Sequence, residues 1–134
     1  MPAQKKLLVV DDDNMVRMLV PALLREKNWH IRSASDGAQA IDQLADQPPD
    51  VLVLDLMMPG VDGYGVLRHL RRAAPHLLKR TIVLTAFVGK TPEQIDENEI
   101  FRLMRKPFQM KDLVAVILAC AESGPEPAGP PTGS

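Results

Sequence analysis

Short apolar runs that alternate with longer helical segments constrain the fold of this chain more than any other feature. Three of these runs contain only Leu, Val and Ile: Leu7–Val10, Val51–Leu54 and Ile82–Leu84. Runs without polar alternation are typical of strands covered on both faces, as strands are in parallel sheets. A weaker run, His30–Ala34, fits an edge strand, and Leu103–Arg105 is too short to be assigned on its own.

The segments between the runs have the spacing of amphipathic helices. Asp13 or Asn14 is available as the N-cap of the first helix, and a second helix follows Asp36 and stops near Pro48. Pro92 suits the first turn of a helix before the fifth strand. The apolar stripes of the four clearest helices are Val16, Leu19, Val20, Leu23 and Leu24; Ala38, Ile41, Leu44 and Ala45; Val66, Leu67 and Leu70; and Leu113, Val116, Ile117 and Cys120.

Strand–helix alternation repeated five times predicts an α/β fold with a single doubly wound, five-stranded parallel sheet and helices on both faces. The length of 134 residues suits one domain. We assign the domain to residues 4–122. Residues 123–134 are rich in Pro and Gly, and this composition predicts a flexible tail or linker.

Charge and cysteine content narrow the class of protein. The net charge of -1 gives no sign of a basic surface, so we expect no direct nucleic acid binding. No apolar run approaches the roughly 18 residues needed to cross a bilayer, and no signal peptide pattern is seen, so we expect a cytoplasmic protein without membrane attachment. The single cysteine, Cys120, is expected to be a reduced core residue.

Acidic, hydroxyl and amine side chains follow the predicted strands. Asp11–Asp13 come after the first strand, Asp55 after the third, Thr85 after the fourth and Lys106 after the fifth. Ligands of open parallel sheets bind beyond the carboxyl ends of the strands, where these side chains should meet. Taken alone, Asp13 is better explained as a helix cap, Thr85 could equally cap a strand end, and Lys106 would be assigned to the surface.

Together these side chains suit phosphoryl chemistry. Clustered carboxylates repel one another and need a cation, and oxygen ligands favour Mg²⁺ over zinc or copper. A carboxylate can attack phosphorus to form an acyl phosphate. Lys106 and Thr85 offer the ammonium and hydroxyl that would neutralise the phosphoryl oxygens.

Four separated segments closely resemble those of response regulator receiver domains: Leu7–Asp13, Leu54–Gly63, Leu84–Ala86 and Lys106–Phe108. The resemblance covers nearly the whole chain except the tail. It implies that the sheet has the flavodoxin-like strand order 2-1-3-4-5. It also implies a cis peptide bond between Lys106 and Pro107, which the weak trans preference before proline permits.

The resemblance also assigns roles to the residues at the strand ends. Asp55 would be the phosphoacceptor, with Asp11, Asp12, Asp55 itself and the Met57 main-chain carbonyl holding Mg²⁺. Thr85 and Lys106 would contact the phosphoryl oxygens. The implied protein is not an enzyme but a phosphorylation-dependent switch of a two-component system. A histidine kinase or phosphotransfer protein would transfer the phosphoryl group to it, and an output domain or target protein would respond to the phosphorylated form.

Two other functions fit parts of this pattern. A phosphohydrolase of the haloacid dehalogenase type also uses a strand-end Asp with Mg²⁺, but it needs a second Asp where this chain has Met57. A flavodoxin-like binder of a flavin phosphate would need a Ser-, Thr- or Gly-rich loop after the first strand. Three negative charges stand there instead, and they would repel a phosphate.

The chain also departs from the family pattern. Leu103 occupies the position where most members carry Tyr or Phe, while Phe101 lies two residues earlier. The aromatic half of the family switch is therefore in question, and we expect an atypical helix and loop before the last strand. Val114 and Leu118 widen the apolar surface of the last helix, and their exposure would favour a homodimer through that helix.

Overall fold

The chain is described from a computed structural model that covers residues 4–25, 27–58, 62–86 and 95–123. The predicted helix start at Pro92 and residues 124–134 of the tail lie outside the described residues. In chain order the elements are β1 (Lys5–Val10), α1 (Asn14–Leu23), β2 (Trp29–Ala34), α2 (Gly37–Asp46), β3 (Val51–Asp55), α3 (Gly63–Ala73), a short 3₁₀ helix (Pro75–Arg80), β4 (Thr81–Thr85), β5 (Arg102–Arg105) and α4 (Met110–Glu122). The domain limits of 4–122 stay a prediction.

All five strands are parallel and form one sheet in the order β2-β1-β3-β4-β5, as expected. The weak run at 30–34 belongs to β2, which is an edge strand as predicted. Strand β3 lies at the centre, and each of its five residues is buried. Within the described residues, no helix has the length and apolar character that crossing a membrane would require.

Two apolar clusters cover the two faces of the sheet, because successive strand residues point to opposite sides. On one face α2 and α3 pack against Leu8, Val10, Leu52, Leu54 and Val83. On the other face α1 and α4 pack against Leu7, Val9, Val51, Val53, Ile82 and Leu84. The doubly wound arrangement leaves the carboxyl edge of the sheet between the two helical layers.

Helix α1 corrects one prediction. Val16, Val20 and Leu24 are buried as expected, but Leu19 is 37% exposed and Leu23 is 50% exposed. A helix that covers one face of a sheet buries a single stripe, and the apolar residues of α1 extend beyond that stripe. The first helix therefore presents apolar side chains to solvent.

The last helix, α4, corrects a second prediction. Val114 and Leu118 are half-buried and pack against the cluster shared with α1, so the expectation that they are exposed was wrong. A homodimer through this helix stays a prediction, but exposure of these two side chains does not support it. Cys120 is a free, fully buried cysteine, and burial raises the pKa of its thiol to about 11.

Leu103 in β5 and Phe101 just before it pack on different faces of the sheet. Leu103 packs with the α2 and α3 cluster, whereas Phe101, just before the strand, packs with the α1 and α4 cluster. Phe101 therefore cannot replace the missing aromatic ring at position 103. The preceding residues are tied to α3 by a bidentate ion pair, in which Arg71 Nε donates to Glu99 at 2.7 Å.

Candidate functional site

The carboxyl edge of the sheet brings the predicted site residues together. Asp11 follows β1 directly, Asp55 and Thr85 end β3 and β4, and Lys106 follows β5. Asp55 pairs in register with Leu84, and Thr85 pairs with Arg105. The parallel register therefore aligns the ends of the three strands that carry Asp55, Thr85 and Lys106.

Three carboxylates form a compact acidic cluster at this edge. Asp11, Asp12 and Asp55 each offer an oxygen, and these oxygens lie within 4.8 Å of one another. Asp11 is 0% exposed and Asp55 is 1% exposed, whereas Asp12 is exposed. The buried Oδ2 atom of Asp11 has no hydrogen bond. A buried carboxylate oxygen that accepts no hydrogen bond is costly, so this arrangement suits a cation.

Lys106 provides the only positive charge within ion-pair distance of this cluster among the residues that the structure describes. Its Nζ atom lies 3.7 Å from Asp11 Oδ2 and 3.6 Å from Asp55 Oδ2. Its main-chain N–H donates to the Thr85 carbonyl at 2.7 Å. The peptide bond between Lys106 and Pro107 is cis, as the resemblance implied. One residue thus links the acidic cluster to the end of β4.

The electrostatics of Asp55 reflect its buried position. Burial and the neighbouring Asp11 carboxylate raise the pKa of Asp55 to about 7. The Met57 N–H and the Lys106 charge act in the opposite direction but do not outweigh them. Near neutral pH, Asp55 is therefore only partly ionised, and added positive charge at the site would favour the ionised, nucleophilic form.

Main-chain groups orient the two buried carboxylates. The Met57 N–H donates to Asp55 Oδ1 at 3.1 Å, which leaves Asp55 Oδ2 on the side of Lys106. The Asp13 N–H donates to Asp11 Oδ1 at 2.8 Å. Asp13 also caps α1 as expected, because its Oδ1 accepts the Met15 N–H at 2.8 Å. Sequence reasoning found the cap but missed that the same residue holds Asp11 in place.

Gly63 lets α3 begin directly against the carboxyl end of β3. A Cβ atom at this position would lie 2.4 Å from the Asp55 carbonyl oxygen and 2.6 Å from the Leu56 Cα atom. The Gly63 N–H donates to the Leu56 carbonyl at 3.2 Å. This close approach requires a residue without a side chain at position 63.

Exposed apolar side chains surround the edge of the site, and sequence reasoning missed them as well. Met15 and Met18 on α1 are 63% and 64% exposed, and Met57 after β3 is 62% exposed. Met15 lines a groove beside the site together with Asp13, Val16, Lys106, Pro107, Phe108 and Met110. The signal was present in the sequence, because α1 has more apolar residues than one buried stripe requires.

Sequence comparisons agree with this geometry. The family model of the response regulator receiver domain matches residues 7–118. The response regulator MprA of Mycobacterium avium is 38% identical over 112 residues, which is 82% of this chain and 48% of the relative. The probable transcriptional regulator ycf27 of Guillardia theta is 35% identical over 118 residues, which is 87% of this chain and 45% of the relative. The chain spans less than half the length of these relatives.

Solved structures share the fold. A response regulator receiver domain protein from Methanospirillum hungatei superposes with a TM-score of 0.72 at 27% identity, covering 90% of this chain and 97% of the other. The receiver domain of a Francisella response regulator gives a TM-score of 0.73 at 25% identity, covering 90% and 98%. These similarities extend over nine tenths of the chain.

Proposed function

Because the chain belongs to the response regulator receiver domain family, we propose that it accepts a phosphoryl group on Asp55 and thereby switches a partner-binding surface. One observation carries this proposal. The Oδ2 atom of Asp55 is buried in an acidic cluster, 3.6 Å from the Lys106 ammonium, while the Met57 N–H holds its other oxygen. A carboxylate fixed in this way presents one oxygen for attack.

The donor set fits Mg²⁺. It contains only oxygen ligands, and the buried Asp11 Oδ2 has no hydrogen bond. Asp11, Asp12, Asp55 and the Met57 carbonyl would hold the ion. When bound, Mg²⁺ supplies positive charge that lowers repulsion between the carboxylates and an incoming phosphoryl group.

The chain's own residues perform the transfer in one displacement. Asp55 Oδ2 attacks the phosphorus of a phosphohistidine, the P–N bond breaks, and the imidazole leaves with the electron pair and takes up a proton. Lys106 neutralises charge on the phosphoryl oxygens. The hydroxyl of Thr85, at the buried end of the adjacent strand, is the second donor to those oxygens. The receiver thus acts as a phosphoacceptor and signalling protein.

The exposed face of α1 suits docking of the donor, which we take to be a histidine kinase or phosphotransfer protein of the cytoplasm. Its phosphohistidine must reach Asp55, so its surface must rest beside Lys106. The groove that Lys106 shares with Met15 and Phe108 is mostly apolar, and it continues onto the face with Met18 and Leu19. An apolar helix face of the donor fits such a surface.

The switch then acts through Thr85 and Lys106, which would move towards the phosphoryl oxygens. Because the Lys106 N–H donates to the Thr85 carbonyl, movement of one strand end is passed to the other. Leu103 lacks the aromatic ring of most family members, so the surface formed by β5 and α4 should change modestly. The relatives are about twice as long, so the output belongs to a further domain or a separate target.

Phosphorylation by acetyl phosphate tests the proposal directly. The protein is incubated with acetyl phosphate and Mg²⁺, and intact mass is measured. We expect one phosphoryl adduct per chain, no adduct in Asp55→Asn or in EDTA, and a normal adduct in Asp46→Asn, which alters an exposed carboxylate at the end of α2. An adduct that survives Asp55→Asn, or repeated turnover without an adduct as in a phosphohydrolase, would contradict it.

Backbone NMR with beryllofluoride tests the switch. We expect shifts in residues 95–118, smaller than those at the site itself. Shifts confined to α2 and α3, with residues 95–118 unchanged, would contradict the proposed route through Thr85 and Lys106.

A further inference from the structure

Two exposed methionines lie together on α1. Met15 and Met18 are 63% and 64% exposed. They are three residues apart, so their side chains lie on the same side of the helix. Both line one shallow surface cavity with Asp13, Asn14 and Leu19. Two thioethers are therefore concentrated on the apolar face that borders the site.

The other methionines in the described part of the chain differ in exposure. Met58 is only 8% exposed, and Met104 and Met110 are half-buried in the α1 and α4 cluster. Met57 is the one further exposed methionine among them, at 62%. Oxidants in solution therefore reach Met15, Met18 and Met57 before the others.

We propose that Met15 and Met18 form a site of reversible oxidation by peroxides, which turns the exposed face of α1 from apolar to polar without disabling Asp55. The inference deepens the proposed function, on which it rests, because it assigns regulation to the donor-docking face. A leucine at these positions would provide the same apolar contact without this chemistry.

The chemical step is a two-electron oxidation. A sulfur lone pair attacks one oxygen of hydrogen peroxide, an S–O bond forms and the O–O bond breaks. The departing hydroxide takes the proton from the new S–OH group, which leaves a sulfoxide and water. Sulfur is oxidised and the peroxide is reduced. Methionine sulfoxide reductases reverse the change, with one enzyme for each sulfoxide epimer.

The consequence would be confined to docking. A sulfoxide is polar, so an apolar helix of the donor would lose favourable contact with α1. Neither Met15 nor Met18 is an acid, hydroxyl or amine of the site. The hydrogen bond that the Met15 N–H donates to Asp13, the N-cap of α1, is unchanged by oxidation of sulfur. A small phosphodonor, which needs no docking face, would still phosphorylate Asp55.

The test compares the parent protein with Met15→Leu/Met18→Leu. Both are treated with hydrogen peroxide and digested, and oxidation of each methionine is followed by mass spectrometry. We expect Met15 and Met18 to oxidise about tenfold faster than Met58, and Met104 and Met110 to lag as well. Treatment with both reductases should restore the original mass. Equal rates at Met15, Met18 and Met58, or sulfoxides that the reductases do not reduce, would overturn the proposal.

Two further readouts connect oxidation to the surface and to Asp55. Binding of the apolar dye anilinonaphthalene sulfonate should fall by about half on oxidation of the parent and by much less in the double variant, which keeps the exposed Met57. Phosphorylation by acetyl phosphate should proceed equally in the two oxidised proteins, because any loss caused by Met57 is common to both. No change in dye binding, or slower phosphorylation of the oxidised parent alone, would overturn the proposal.

The outcome remains distinct from that of the proposed function. If the unoxidised parent takes no phosphoryl group from acetyl phosphate, the proposed function fails. If it is phosphorylated but Met15 and Met18 oxidise no faster than buried methionines, only the oxidation site fails.

Discussion

The interior of strand β3 and its carboxyl end are equally buried but chemically opposite. Leu54 is 0% exposed and packs in the apolar cluster beneath α2 and α3. Asp55, the next residue, is 1% exposed and lies against Asp11 and Lys106. Burial stabilises the first residue, whereas it raises the pKa of the second and makes its charged form costly.

The difference between the two positions indicates where an acidic side chain lowers the stability of the folded chain. A sheet that needed only to fold would end β3 in another apolar residue or a neutral cap. Instead a central strand that is buried at all five positions carries an acid to the point where the helical layers part. Buried charge of this kind is a feature of functional sites.

Separate substitution of Leu54 and Asp55 tests how differently the two buried residues affect stability. Leu54→Ala should lower the free energy of unfolding by about 3 kcal/mol, through lost apolar burial and a cavity. Asp55→Asn should raise it by about 2 kcal/mol at pH 8 in EDTA, because a buried negative charge is removed. Urea unfolding measures both, with Asp46→Asn as a control that should change little. Destabilisation by Asp55→Asn would show that the acid contributes to stability after all.

Substitution of Lys106 tests whether the carboxyl end of the sheet promotes phosphoryl transfer. Lys106→Met should slow phosphorylation by acetyl phosphate about 100-fold, equivalent to about 3 kcal/mol, because the phosphoryl oxygens lose their ammonium partner. The rate is measured by intact mass at saturating Mg²⁺. Lys111→Met, on the exposed side of α4, is the matched control. An equal loss of phosphorylation rate in both variants would mean that the loss of a positive charge anywhere on the protein, and not the position of Lys106, slows the reaction.

The pH dependence of the free energy of unfolding also distinguishes Asp55 from its apolar neighbour Leu54. Because the pKa of Asp55 is about 7 in the folded chain and its ordinary value is 3.8, the folded state holds the proton more tightly. Stability should therefore be greatest below pH 4 with respect to this group, and should fall as pH rises from about 4 to 7.

The size of this effect is measured against Asp55→Asn. In EDTA, the free energy of unfolding of the parent minus that of the variant should fall by several kcal/mol across this window and then level off. Denaturant titrations at several pH values give the difference. A difference that rises with pH would mean that the Lys106 charge outweighs burial.

The smallest expected effect concerns the lifetime of the phosphorylated state. Met57 lies two residues after Asp55, and Phe87 lies two residues after Thr85 but outside the described residues. Neither can orient a hydrolytic water, and both should exclude it. Met57→Asn with Phe87→Glu should accelerate decay about tenfold, or about 1.4 kcal/mol. Decay of the phosphorylated protein with Mg²⁺ present measures it, and an unchanged rate would contradict shielding.

Much of the fold could be predicted because its signals are local. Unbroken apolar runs mark buried strands, and the position of ligand sites beyond the carboxyl ends of parallel strands predicts that Asp11, Asp55, Thr85 and Lys106 lie at one edge. The roles of these residues stay predictions until phosphorylation is measured. Their shared location, however, followed directly from strand order.

The rest depended on packing that no local pattern encodes. Leu19 and Leu23 have the spacing of buried residues, but a helix lying on one sheet face has no second apolar partner for them. The Thr85 and Lys106 main-chain bond arises only when β4 and β5 are placed side by side. The high pKa of Asp55 likewise comes from the burial and the Asp11 contact that the fold creates.

The tight contact at Gly63 limits how this chain can change over evolutionary time. Any side chain there meets main-chain atoms, which cannot rotate away as the end of a flexible side chain could. Even alanine at position 63 therefore requires α3 to move away from Asp55, so no substitution there is possible without a shift of the backbone. Variation that retunes the lifetime or partners of the switch must accumulate elsewhere, on surfaces such as α1, while this junction stays fixed.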